Sequence, residues 1–114
     1  MQIISPDTLA RIGGKIILIG RAASAVGAEV AGGNAVALRS ARESLAASEA
    51  DYDKAIGELA PEQREWVEHL FAEALAKARA GRAGYHTDVY MAQIKWSDDQ
   101  VRELETITAE LKDA

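Results

Sequence analysis

Glu65, His69 and Glu73 recur at intervals of four. On a helix that spacing sets an imidazole between two carboxylates on one face, a donor set a divalent metal can accept. Di-iron bundles, however, place Glu and His three apart and repeat the set on a second helix. Here position 66 is Trp and no second set occurs, so the three residues read as ordinary i,i+4 pairing on a solvated face. His86 and Asp88 form a minimal acid–base pair without a nucleophile or a third orienting group. Gly13-Gly14-Lys15 lacks the spacing of a phosphate loop, follows no strand pattern, and carries Ile16 where Ser or Thr would bind magnesium. Gly81-Arg82-Ala83-Gly84 is equally brief and reads as helix punctuation. With no cysteine in the chain, thiolate metal sites, disulfides and cysteine nucleophiles are excluded together. The expectation is a chain with no catalytic residues, no metal, no cofactor and no small-molecule substrate. If there were a reaction, Glu65, His69, His86 and Asp88 would be the place to look.

The elements that position these residues follow from composition. In 114 residues there are 23 alanines, six aromatics and two prolines, a mixture that favours helix. The length suits one domain, residues 1–114, with a single modest core. Thirteen basic residues against eighteen acidic ones argue against a protein that holds nucleic acid by its phosphates. The net charge is +1 over 1–34, −2 over 35–60, zero over 61–84 and −4 over 85–114, so the acidity sits at the C-terminal end. Lys15, Arg21 and Glu29 interrupt every apolar run of the first third before it reaches the ~20 residues of a spanning helix. No secretory signal pattern is present. The reading is a cytoplasmic protein, with a virion or other assembly as an alternative setting.

The periodicity predicts an all-α fold, a compact bundle of four main helices at about 6–31, 35–56, 61–80 and 97–112, with a further short helix near 88–95. The first opens at Ser5-Pro6-Asp7, a capping serine followed by proline at the first helical position and an acid near the positive dipole end. Its charged residues Asp7, Arg11, Lys15, Arg21 and Glu29 share a sector of roughly 120°. A heptad seam through Leu9, Ile12, Ile16, Ile19, Ala23, Val26 and Val30 runs along the apolar side. Gly13, Gly20 and Gly27 recur every seven residues beside it. Each glycine costs about 1 kcal/mol relative to alanine inside a helix. Three in register therefore need an offsetting gain, and a groove for a close helix supplies one. Gly13, Gly20, Gly27, Ile16 and Ile17 are accordingly the expected helix-packing or oligomer interface, within one chain or between chains.

Asn34 is placed to cap a second helix with Leu38, Leu45, Tyr52 and Leu59 on one stripe and Ala41, Ser48 and Ala55 on a small one. The opposite face, with Arg39, Arg42 and Glu43 among others, is expected to be solvated. The third helix carries Val67, Leu70, Phe71, Ala74, Leu75 and Ala78 inward. Ser97-Asp98-Asp99-Gln100 matches a capping box for a last helix burying Val101, Leu104, Ile107, Thr108 and Leu111.

Three of the six aromatics fall between Tyr85 and Trp96, just after Lys77, Arg79 and Arg82. Arg79, Arg82, Tyr85, Tyr90 and Trp96 are thus a candidate partner interface, since Tyr, Trp and Arg are enriched in such surfaces. Single-stranded nucleic acid uses the same residue types, and the third reading is that the aromatics cover an open end of the core. Function is expected to be that of a non-enzymatic helical interaction or scaffold module, acting on itself or on a protein partner as an inhibitor, adaptor or assembly component. The alternative is a membrane-acting or pore-forming assembly built on the first helix.

Overall fold

The computed structural model describes residues 4–113, and among them every regular element is a helix. There are five: α1 (Pro6–Gly32), α2 (Ala35–Gly57), α3 (Pro61–Leu70), α4 (Ala72–Arg79) and α5 (Tyr85–Asp113). None is long and apolar enough to cross a membrane. Extents of 67 × 25 × 18 Å make the molecule somewhat elongated, where the sequence suggested a compact bundle.

The first two helices begin and end where their caps place them. Ser5 Oγ accepts from the Thr8 backbone N–H at 3.1 Å, and Asn34 Oδ1 accepts from Ala37 N–H at 3.0 Å, each such cap contributing about 1 kcal/mol. Between them Gly33 adopts a left-handed φ of 72° and donates its N–H to the Glu29 carbonyl, which turns the chain into a hairpin.

The expected third helix is divided. At Phe71 the backbone opens to φ −97°, ψ 9°, yet Phe71 N–H still donates to Val67 O and Leu75 N–H to Phe71 O. The hydrogen-bond ladder therefore passes through the break, which falls at the bulkiest fully buried side chain. α4 ends in a Schellman turn: Gly81, at φ 64°, donates to Ala78 O, and Arg82 N–H reaches back to Lys77 O.

The C-terminal quarter also departs from the expected pattern. The expected short helix at 88–95 and separate helix at 97–112 are one continuous 29-residue helix, and Ser97 lies inside it. A capping box acts only where upstream backbone is extended. Here Tyr85, Val89, Ala92 and Trp96 pack at three- and four-residue spacing on the body, so the turn before Ser97 is already helical.

The core gathers Leu9, Ile12, Ile16 and Ile19 of α1 with Tyr52, Ala55 and Ile56 of α2. Val67, Phe71, Ala74 and Ala78 close it from α3 and α4, and Val89 and Trp96 from α5. Side chains of the Leu, Ile, Val and Phe type each contribute about 1.5–3 kcal/mol when fully buried. α5 runs antiparallel to α1. A Cβ on Gly20 would stand 2.5 Å from the Tyr85 ring, and one on Gly13 would stand 2.9 Å from Val89 Cγ1. Gly27, the third of the series, has no such neighbour within 4 Å.

Replacing Gly20 with leucine should therefore overpack the α1–α5 contact and cost about 1–3 kcal/mol, visible as a lowered melting temperature. Gly27→Ala should instead leave stability unchanged or raise it by up to about 1 kcal/mol. Equal effects from the two substitutions would contradict this geometry.

Candidate functional site

The residues marked out by sequence separate into buried and open sets. Of the packing group, Gly13, Gly20 and Ile16 are buried and Ile17 packs against the core from a half-buried position. Gly13 and Gly20 receive α5 of the same chain, so that part of the glycine series works within one molecule. Of the aromatic and basic group, Trp96 is buried at 6% exposure and Tyr85 lies across Gly20. Both serve the core. Tyr90 is 64% exposed, and Arg82 is exposed as well.

Arg79 is committed inside the molecule. Its Nε donates to Glu49 Oε1 at 3.0 Å and its NH2 group to Glu49 Oε2 at 3.1 Å, a forked pair that ties α4 to α2. The guanidinium also sits 5.9 Å above the Tyr52 ring, within cation–π range. Tyr52 is buried and its hydroxyl makes no hydrogen bond among the described residues. Burial, aided by the Glu68 charge, raises its phenol above the ordinary value of 10.0. The Glu49 hydrogen bond holds the Arg79 guanidinium still more firmly protonated.

The acid–base residues do not converge. Glu65, His69 and His86 are exposed, and Asp88 pairs with Lys77 Nζ at 2.7 Å. His69, Glu73, Asp88 and Lys95 border an open groove between α4 and α5. Among the described residues no group of three or more His, Asp or Glu is arranged to hold a metal.

Two surfaces remain apolar and uncovered. The first is the outer side of α5. Tyr90, Ile94, Ser97, Val101, Leu104, Thr108 and Leu111 are spaced alternately four and three, a heptad seam. About 130° around the helix lie Tyr85, Val89, Ala92 and Trp96, which face the body. The periodicity places Val101, Leu104, Ile107, Thr108 and Leu111 inward. All five are exposed, Leu104 at 45% and Leu111 at 72%, because Val101 lies on the outer side of the helix and from residue 104 the helix has run past the body. Every described residue from 104 onward is exposed. Val101, Leu104, Glu105, Thr108, Ala109 and Lys112 line one trough on this surface. The signal for the seam was present in the spacing, but it crosses Ser97, where a helix start was expected.

The second surface is the far end of the α1–α2 hairpin. α4 lies along the hairpin until Arg79 meets Glu49 and Gly81 meets the Ala23 backbone. Beyond that point no residue from Ser24 to Ser40 is buried, and Val30 and Val36 are exposed at 57% and 81%. Ala35, Leu38, Arg39, Arg42, Glu43 and Ala46 line a shallow trough there.

No family model, curated protein or solved structure matches this chain.

Trp96→Ala should cost about 3–5 kcal/mol of stability, whereas Tyr90→Ala should change it by no more than about 0.5 kcal/mol. Denaturant melts of the two variants compare them directly, and equal losses would contradict this division. Tyr52→Phe should be close to neutral at pH 7, since the hydroxyl it removes is unpartnered. A raised phenol stabilises the fold below about pH 10 and loses that contribution as the pH climbs through the folded value. The phenylalanine variant should therefore lose less stability than the parent under alkaline conditions.

Proposed function

We propose that this chain is a non-enzymatic helical interaction module that associates with itself through the outer seam of α5, serving as a scaffold or assembly component. The observation that carries the reading is the seam itself: apolar side chains at heptad spacing on a helix that projects beyond its own core. Residues 104–113, all exposed, extend about 15 Å at 1.5 Å per residue. A solitary helix of this length is marginal in water, and Val101, Thr106, Ile107 and Thr108 are all below the best helix formers. A partner helix on the seam supplies the burial that the segment lacks. The compact bundle expected from the sequence is, on this reading, completed between molecules.

The first part of the apolar arc of α1, through Leu9, Ile12, Ile16 and Ile19, packs inside the same chain, which favours α5 over α1 as the source of the associating helix.

Light scattering across a concentration series tests the proposal. The parent protein should exceed its monomer mass of 12.2 kDa at micromolar concentration, while Leu104→Glu should remain monomeric and melt where the parent melts when diluted until it is monomeric. A parent protein that stays monomeric up to millimolar concentration would show that the seam does not mediate self-association.

A further inference from the structure

Resting on that reading, we infer that the surface receiving the α5 seam is the open end of the α1–α2 hairpin of a second copy. Three observations converge on this occupant. The first is charge. Residues 97–113 carry six acids against Arg102 and Lys112, a net −4; Glu105 borders the seam together with Lys112, so the negative charge belongs to the segment as a whole. The hairpin trough presents Arg39 and Arg42 against the single acid Glu43. A segment of net negative charge and a basic trough attract each other over roughly a Debye length, ~10 Å at 0.1 M salt, and complementarity of this kind steers the choice of partner.

The second observation is continuity of packing. The side of α1 that takes α5 at Gly13 and Gly20 extends to Gly27, where nothing outside the helix lies within 4 Å. On α2 the side that meets α4 at Glu49 extends through Leu45 and Arg42 to Leu38, by the same three- and four-residue steps. A further helix laid here would follow the course of α4 and find a small-residue floor.

The third is reach. α5 runs antiparallel to α1, with Tyr85 beside Gly20 and Val89 beside Gly13. Its projecting end therefore leaves the body past Pro6, whereas the open hairpin lies at Gly32–Ala35, the other end of a molecule 67 Å long. A continuous helix cannot return to the trough of its own chain, so the ridge must come from another copy. The contact joins unlike surfaces and is heterologous.

Two exposed substitutions, one on each half, provide the test: Leu104→Glu on the ridge and Arg42→Glu in the trough. Each variant alone should be monomeric at concentrations where the parent assembles, with the dissociation constant raised at least tenfold and the melting temperature equal to that of the diluted, monomeric parent. Mixed in equal amounts they should form a dimer, because the intact trough of one meets the intact ridge of the other. If Arg42→Glu assembles like the parent while Leu104→Glu does not, the ridge pairs elsewhere and this inference fails, although self-association through the seam stands. A mixture that remains monomeric also overturns it. A parent protein that never assembles removes both readings.

Discussion

The structure depends on how closely α5 approaches α1. At Gly20 the Tyr85 ring occupies the space in which any other residue would carry a Cβ, and at Gly13 Val89 comes nearly as close. Two backbones brought together in this way draw the small core of this chain tight, since dispersion forces reward short distances and fade within about an ångström of extra gap. The glycines weaken α1 as an isolated helix, and the weakness is offset by a contact that no alanine or leucine would permit. The placement of Val89 and Trp96 in the core follows from this one approach, as does the direction in which α5 leaves the body.

Much of this was legible in the residues. Ser5-Pro6 and Asn34 mark their helices because capping is a local matter, decided within four residues. The glycine interval of seven announced a close helix partner, although the interval could not say whose helix it was. Reading failed where two patterns overlapped. α5 carries an inner stripe through Tyr85, Val89 and Trp96 and an outer one through Tyr90, Ile94 and Val101. Added together, the stripes match neither strand nor amphipathic helix. Ser97-Asp98-Asp99-Gln100 then supplied a false start, since a capping box looks the same in sequence whether the preceding turn is extended or already wound.

The aromatic and basic cluster shows a similar limit. Arg79, Tyr85 and Trp96 look like an interface set, and they do bind a surface, but it is their own: Arg79 grips Glu49 and the two rings close the core. Composition identifies residues suited to dense contact without revealing which side of the molecular boundary the contact lies on. Tyr90, one turn from its neighbours yet facing outward, is separated from them only by helical phase.

The unbroken course of α5 has a mechanical consequence. The first two-thirds of the helix lies against the body, and the last ten described residues stand out by about 15 Å. Such a projection is a lever: a tilt of roughly 10° at its clamped end displaces its tip by about 3 Å, the rise of two residues along a helix. Small adjustments at Gly13 and Gly20 are thereby converted into large displacements at Leu111, so the tightness of a glycine contact sets the aim of a surface far from it.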